Sequence, residues 1–172
     1  MPSATRNPKS ETAIVALGSN LGNSRQTILD ALAQLQHLSE VPLRQSSLWR
    51  TTPVDCPPDS PAFVNAVTLL FPPAGETPLG LLRKLRKIER KFGRRPKKVL
   101  NEARSLDLDL ITFGLATRHS PELILPHPRA HLRRFVLQPL NELAPELILP
   151  GQTATVAELL AELPADEAIK PL

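Results

Sequence analysis

The sequence predicts an α+β domain whose elements follow in the order β-α-β-β-α-β, the ferredoxin-like arrangement in which helices cover one face of an antiparallel sheet. Two patterns support this prediction. Short apolar runs with β-branched residues are typical of strands, and apolar residues three and four positions apart are typical of helices. The length of 172 residues fits one domain. A content of 41% hydrophobic and 22% charged residues is that of a chain with a core rather than of a disordered chain.

The first part of the chain supplies a strand, a helix and a pair of strands. Residues 13–17 (AIVAL) form an apolar run that ends in a glycine turn, which predicts a buried strand. After Asn23, a good N-cap residue, one apolar stripe predicts the first helix; it consists of Ile28, Ala31, Leu32, Leu35 and Leu38. Residues 43–51 and 63–71 are strand-like and are separated by a proline-containing loop, so we expect them to pair antiparallel.

The second part begins with another helix and ends in an extension. The helix starts near Thr77, and its buried stripe consists of Leu81, Leu85, Ile88 and Phe92, with Gly93 as the C-cap. The alternating sequence of residues 106–113 (LDLDLITF) predicts the last core strand. The remaining third of the chain forms a C-terminal extension, which is rich in proline from residue 121 to residue 150 and ends in a helix predicted near residues 156–163.

Cysteine usage and the N-terminal segment bear on the location of the protein. The single cysteine, Cys56, excludes an intrachain disulfide, and no run of about 18 apolar residues is present. Residues 1–11 are polar, contain two prolines and lack the apolar core of a signal peptide. We therefore expect a disordered tail at residues 1–11, a single domain at residues 12–172, a cytoplasmic location and no membrane partner.

The positive charge is concentrated in one segment. Between Arg83 and Lys98 there are ten Lys or Arg residues and one acid, Glu89, so ten minus one gives a local charge of +9, against a formal +4 for the whole chain. Such a segment attracts an anionic partner such as nucleic acid, an acidic membrane surface or a nucleotide phosphate. A solvated helix face is the alternative, and charge alone does not decide between them.

Two aspartates in the last core strand form a candidate metal site. The period of two puts Asp107 and Asp109 on one face of the strand and the neighbouring leucines on the other. Their Cα atoms then lie roughly 6 to 7 Å apart, and their oxygens suit Mg²⁺ that is also held by substrate phosphates. Charges that protect a sheet edge are the alternative. Asp is depleted in strands and like charges repel, which favours the metal.

Other residues suit phosphate and a flat ring. His127 lies between two prolines, and Arg94 and Arg104 flank the loop before the aspartates, where guanidinium groups suit phosphate oxygens. Phe63 and Asn65 share a strand face, so one can stack on a heterocycle while the other binds its edge, and Phe135 can supply the opposite plane. Taken singly, each has an ordinary alternative: a loop histidine, solvated arginines and core phenylalanines.

Together these segments resemble the 6-hydroxymethyl-7,8-dihydropterin pyrophosphokinases of folate biosynthesis. The resemblance spans residues 13–150. The motifs on which it rests are ALGSNLGN at 16–23, WRT at 49–51, FVNAV at 63–67, IERKFGR at 88–94, RSLDLDLI at 104–111, LPHPRAHLRRFVLQPL at 125–140 and LAPEL at 143–147. Their order and spacing agree with those of the family.

This resemblance implies transfer of the diphosphate of ATP to the hydroxymethyl group of 6-hydroxymethyl-7,8-dihydropterin, a step of tetrahydrofolate biosynthesis that releases AMP. It implies two Mg²⁺ ions held by Asp107 and Asp109. The catalytic residues implied are Arg94, Arg104, Asp107, Asp109 and His127. Those implied for ATP are Glu89, Arg94, Leu110, His127 and Arg133, and those implied for the pterin are Thr51, Val54, Phe63, Asn65 and Phe135.

Two other functions fit the residues less well. An RNA-recognition module shares the element order, but only 3% of residues are aromatic and two acids lie where RNA phosphates would approach. A two-metal phosphohydrolase needs a larger set of carboxylate and histidine ligands. Many members of the resembled family have Trp-Gly-Pro where this chain has Asn101-Glu102-Ala103. We expect ATP and the pterin as partners, no nucleic acid, and a monomer, with association with other folate enzymes left open.

Overall fold

The computed structural model describes residues 11–52, 59–93, 105–165 and 169–172. The strands are β1 (Ala13–Ser19), β2 (Arg44–Gln45), β3 (Trp49–Thr51), β4 (Phe63–Leu70), β5 (Asp107–Phe113), β6 (Arg118–His119), β7 (Ile124–Leu125) and β8 (Ile169–Pro171). The helices are α1 (Ser24–Gln36), α2 (Pro78–Lys91), α3 (Arg134–Leu143) and α4 (Val156–Glu162). The tail expected before the domain lies almost wholly outside the described residues. None of the helices formed by the described residues has the length and apolar character to cross a membrane.

The main sheet is antiparallel, as predicted. Its strand order is β5-β1-β4-β3-β8, with β2 also paired to β4, and β6 and β7 form a separate hairpin. The central strand β1 is buried at all seven positions and pairs with β4 on one side and β5 on the other. Two segments far apart in sequence are thereby aligned against one short strand. This alignment decides which side chains of β4 and β5 lie side by side.

Helices cover both faces of the sheet, whereas the sequence predicted helices on one face. Alternate residues of β1 enter two separate apolar clusters. In the first apolar cluster, Val15 and Leu17 pack with α1 and α2. In the second apolar cluster, Ile14 and Ala16 pack with α3 and α4. The period-two geometry of a strand requires both faces of a buried strand to be covered. The C-terminal part of the chain therefore completes a second core.

Helix α3 was not predicted from the sequence. It contains Pro139, which disfavours a helix interior, and its N-cap residue Arg133 makes no side-chain capping bond. The local sequence therefore gives little indication of a helix. The helix forms because its apolar face, which includes Val136, Leu137 and Leu140, is buried against the sheet. The spacing of these residues was the available signal.

The single strand predicted at residues 43–51 is wrong, because the structure has two short strands there, β2 and β3. Between them, the Ser46 N–H donates to the Val67 carbonyl (2.9 Å) and the Ser46 hydroxyl accepts from the Val67 N–H (3.0 Å). A side-chain hydroxyl here takes the place of a backbone carbonyl, which interrupts the regular ladder. The strand pairing starts again at Trp49, which pairs with Asn65 of β4.

The first apolar cluster should dominate the stability of the fold. Leu85 of α2 is fully buried in it, whereas Leu115 is 83% exposed. We expect Leu85→Ala to lower the free energy of unfolding by about 2 to 5 kcal/mol, because it removes buried surface and leaves a cavity. The matched control Leu115→Ala should change it by less than about 0.5 kcal/mol. Urea unfolding followed by circular dichroism checks both, and equal values for the two variants would contradict this view of the core.

Candidate active site at the edge of the sheet

Strand β5 presents two half-buried carboxylates at the edge of the main sheet. Leu108 and Leu110 enter the cluster with α1 and α2, while Ile111 enters the cluster on the opposite face. Strand alternation puts Asp107 and Asp109 on the Ile111 face. The two acids therefore lie on the side of the sheet that α3 and the preceding segment cover.

A row of paired residues runs across the sheet from these acids. Gly18 of β1 pairs with Asp107 on one side and with Asn65 of β4 on the other, and Asn65 pairs in turn with Trp49 of β3. Directly paired positions share a face. A Cβ on Gly18 would lie 3.1 Å from the Asn65 Oδ1, so glycine leaves room for that amide. The importance of Gly18 was missed in the sequence, because only the strand register shows it.

The Asn65 amide is buried and oriented by a neighbour. Its Nδ2 donates to the Thr51 hydroxyl at 2.6 Å, and both side chains are largely shielded from solvent. Phe63 lies two residues before Asn65 on the same strand and is half-buried. Thr51, Phe63 and Asn65, three of the residues implied for the pterin, therefore form one group on the same face as the aspartates.

His127 lies opposite the carboxylates and is held by the backbone. Its N–H donates to the Ile111 carbonyl of β5 (2.8 Å), and its Nδ1 accepts from the Arg129 N–H (3.2 Å). Burial lowers the pKa of His127 from 6.5 to about 4, the charges of Arg133 and Arg129 contribute to the lowering, and Asp107 opposes it. The ring is therefore neutral at pH 7 with its proton on Nε2, which makes Nε2 a hydrogen-bond donor.

Arg133 joins the acidic and aromatic parts of the site. Burial is the main cause of the lowered pKa of its guanidinium, and the carboxylates of Asp109 and Asp107 act in the opposite direction. Its guanidinium carbon lies 5.4 Å from the ring centroid of Phe135, a cation–π distance. Phe135 lies in the first turn of α3 and packs against the second apolar cluster.

A cavity of about 290 Å³ lies beside the edge strand. It is lined by four residues that the sequence resemblance implied for ATP or metal: Glu89, Asp109, Leu110 and His127. Leu82 and Arg86 of α2 and Glu122 of the hairpin also line it and were missed. Arg86 lies three residues before Glu89 and so shares its side of the helix, which was the available signal. The Arg86 Nη2 donates to the Glu122 carbonyl at 3.3 Å, which joins α2 to the hairpin at this cavity.

The donor set fits Mg²⁺ that is completed by a substrate. No group of three His, Cys, Asp or Glu residues suited to a metal ion occurs among the described residues. The two aspartates supply hard oxygen ligands on one strand face, and Mg²⁺ is usually bound by one or two carboxylates together with water and substrate phosphates. Val54, Arg94 and Arg104, also implied by the resemblance, lie outside the described residues.

Residues 14–145 match the family described as 7,8-dihydro-6-hydroxymethylpterin-pyrophosphokinase (HPPK). The chain belongs to the HPPK family. The 2-amino-4-hydroxy-6-hydroxymethyldihydropteridine pyrophosphokinase of Pseudomonas aeruginosa is 41% identical over 151 residues, which cover 87% of this chain and 90% of that protein. The protein of the same name from Haemophilus influenzae is 36% identical over 160 residues, covering 92% and 97%.

Other HPPK relatives are longer. The folic acid synthesis protein fol1 of Pneumocystis carinii is 36% identical over 163 residues, which cover 94% of this chain but 21% of that protein. The crystal structure of Plasmodium falciparum HPPK-DHPS A437G with SDX-DHP has a TM-score of 0.69 at 16% identity and covers 92% of this chain and 46% of that chain. At 16% identity this structural likeness is evidence for the fold only.

The environment of His127 leads to a measurable prediction. We expect the imidazole signals of His127 in NMR spectra to titrate near pH 4, because burial and two guanidinium groups favour the neutral ring. Since the pKa of His127 in the folded state lies below 6.5, its value in the unfolded chain, protons bind more tightly to the unfolded chain. The free energy of unfolding therefore falls as the pH is lowered from 6.5 towards 4. His127→Gln identifies the signals. A midpoint at or above 6.5 would contradict the proposed environment.

Proposed function

We propose that this protein transfers the diphosphate of ATP to the hydroxymethyl group of 6-hydroxymethyl-7,8-dihydropterin and releases AMP. The observation that carries the proposal is the cavity beside β5, which brings together Glu89, Asp109, Leu110 and His127 from three separate segments. Thr51, Phe63 and Asn65, which are assigned to the pterin, lie on the same sheet face as the two aspartates. The names of the bacterial relatives, which match nearly end to end, support the same activity.

The nucleotide half of the site is assigned to the cavity. The apolar walls formed by Leu82, Leu108 and Leu123 suit a flat base, and Glu89 and Leu110 border the same space. The neutral His127 donates from Nε2 to a phosphate oxygen, while Arg133 supplies a permanent charge. Arg94 and Arg104 are assigned to the phosphates from the family resemblance. The basic face of α2 attracts the anionic nucleotide towards the cavity.

Asp107 and Asp109 are the residues that would hold two Mg²⁺ ions. When bound, the ions supply charge neutralisation on the phosphates and lower the pKa of the attacking hydroxyl. The two carboxylates are on the edge strand, between the cavity and the group formed by Thr51, Phe63 and Asn65. This position suits cations that contact both substrates.

The pterin half of the site is assigned to Thr51, Val54, Phe63, Asn65 and Phe135. The Asn65 amide uses one N–H on Thr51. Its Oδ1 and second N–H remain to pair with the donor and acceptor edge of a pterin ring. The phenyl rings of Phe63 and Phe135 provide planes for stacking.

The reaction requires positioning more than covalent help from the protein. The hydroxymethyl oxygen attacks the β-phosphorus of ATP, the bond from that phosphorus to the oxygen on the α-phosphate breaks, and AMP leaves with that oxygen. The hydroxyl proton passes to solvent or to a phosphate oxygen. No protein nucleophile is needed, so the residues act by holding the two substrates in line and by neutralising charge.

We further propose that the core is ferredoxin-like and that the proline-rich segment is an extension of it. The order β5-β1-β4-β3 supports this, since four antiparallel strands with the chain order 4-1-3-2 correspond to that arrangement. We also propose that residues 12–172 form a single domain and that the protein is a cytoplasmic monomer.

The assay that tests the proposed function follows AMP. Purified protein with ATP, Mg²⁺ and 6-hydroxymethyl-7,8-dihydropterin should form AMP only when the pterin is present. Asp107→Asn and Asp109→Asn should each lose at least about 100-fold in kcat, because each removes a charged metal ligand. Asp30→Asn, a matched change at an exposed aspartate of α1, is the control with wild-type turnover. Release of inorganic phosphate, or magnesium-independent binding of RNA, would contradict the proposal.

The close packing at Gly18 gives a second test. In Gly18→Ala the new Cβ would lie 3.1 Å from the Asn65 Oδ1, which forces the amide to move by a few tenths of an ångström. We expect the KM for the pterin to rise about three- to tenfold, the cost of one disturbed hydrogen bond. The KM for ATP should stay within about twofold, since Gly18 does not line the nucleotide cavity. An unchanged KM for the pterin would remove Asn65 from the binding site.

A further inference from the structure

Glu142, near the end of α3, holds the strand next to the residues assigned to the pterin. Its Oε1 accepts from the Trp49 Nε1 at 2.6 Å, and its Oε2 accepts from the Ser47 hydroxyl at 2.8 Å and from the Ser47 N–H at 3.2 Å. The Arg44 guanidinium donates to the Leu143 carbonyl at 3.2 Å in the same region. One helix end therefore binds the segment that leads into β3 at several points. We call the three bonds to Glu142 the Glu142 clamp.

The clamp acts on a short strand that pairs with β4 on one side and with β8 on the other. β3 has three residues, and it carries Thr51, which orients the Asn65 amide. Trp49 pairs directly with Asn65 across the two strands and lies two residues before Thr51. A shift of Trp49 is therefore transmitted to the Thr51 hydroxyl and to the Asn65 amide that it orients.

The same helix also carries the second ring assigned to the pterin. Phe135 and Glu142 are seven residues apart in α3, which is about two turns, so they lie on the same side of the helix. Phe135 packs against the second apolar cluster, while Glu142 bonds to β3. One helix, held against the second apolar cluster, thus connects an aromatic plane with the strand that bears Thr51.

We propose that Glu142 is a positioning residue for the pterin: it sets the affinity for the pterin ring by fixing β3 relative to α3. This inference rests on the proposed function. Glu142 does not line the nucleotide cavity, so its effect is specific to the second substrate. The alternative is a purely structural bond that affects stability and both substrates alike.

The decisive variant is Glu142→Gln. The glutamine side chain keeps the length of glutamate but offers one acceptor oxygen in place of two, so at least one of the three bonds is lost. Trp49→Phe is the second variant; it keeps an aromatic ring and removes the indole N–H together with the five-membered ring that carries it. Glu146→Gln is the matched control, because Glu146 is an exposed acid four residues further along.

Affinities for 6-hydroxymethyl-7,8-dihydropterin and for ATP are measured by titration calorimetry, together with kcat and the melting temperature. We expect Glu142→Gln and Trp49→Phe each to weaken pterin affinity about three- to tenfold, the effect of one hydrogen bond. The affinity for ATP should stay within about twofold of wild type, as both affinities should in Glu146→Gln. The double variant should lose less than the product of the single losses, because both changes act on the same group of three bonds.

Unchanged pterin affinity in Glu142→Gln would overturn the inference, as would an equal loss of pterin and ATP affinity that follows a lower melting temperature. If Glu142→Gln fails to fold, Trp49→Phe decides on the same criteria. A wild-type protein that binds the pterin but forms no AMP would contradict the proposed function alone. A wild-type protein that binds no pterin would contradict both.

The emission of Trp49, the single tryptophan of the chain, gives an independent signal. Glu142→Ala removes both acceptor oxygens, so loss of the bond to Trp49 should change the emission maximum in this variant and leave it unchanged in Glu146→Gln. The same emission in wild type and Glu142→Ala would show that the bond between Trp49 and Glu142 is absent in solution, which overturns the inference.

Discussion

The register of β1 against its two neighbours is the constraint on which the rest of the site depends. β1 is buried throughout and pairs with β4 and β5 along its length, so it fixes the position of Gly18 between Asn65 and Asp107. A slip of one residue would turn the alternate side chains of a strand to the opposite face. The acids of β5 would then enter the apolar cluster under α1 and α2. Burial of leucines on that face therefore stabilises the placement of the carboxylates on the other.

The second constraint is electrostatic. Two carboxylates on the sheet face a segment that carries His127, Arg129 and Arg133, and this segment is joined to β5 by the hydrogen bond from His127 to Ile111. This hydrogen bond holds the segment beside β5, so its side chains lie close to the carboxylates. Burial keeps His127 neutral and leaves the permanent charge to the guanidinium groups. This arrangement suits a ligand that combines phosphates with cations, because the cations meet the carboxylates and the phosphates meet the guanidinium groups.

Helix α3 connects these parts. Its apolar side covers the second face of the sheet, its first turn carries Phe135, and Glu142 near its end bonds to Trp49 and Ser47. The helix has an internal proline and no side-chain cap, so its stability comes from tertiary packing rather than from local preference. Its contribution to the site follows from the same packing.

The sequence by itself determined the main strands and the two helices of the first half, because period-two and period-3.6 patterns are local properties of the chain. It also determined that Asp107 and Asp109 share a strand face, and its motifs indicated the family that the comparisons then established. Only the tertiary structure decided the cover of the second face by α3, the break at Ser46, and the meeting of Gly18 with Asn65. It likewise decided the bonds of Glu142, whose partners lie more than 90 residues away in the chain. These features depend on register and long-range packing, whereas the spacing of residues within one segment indicates only the local element and its apolar side.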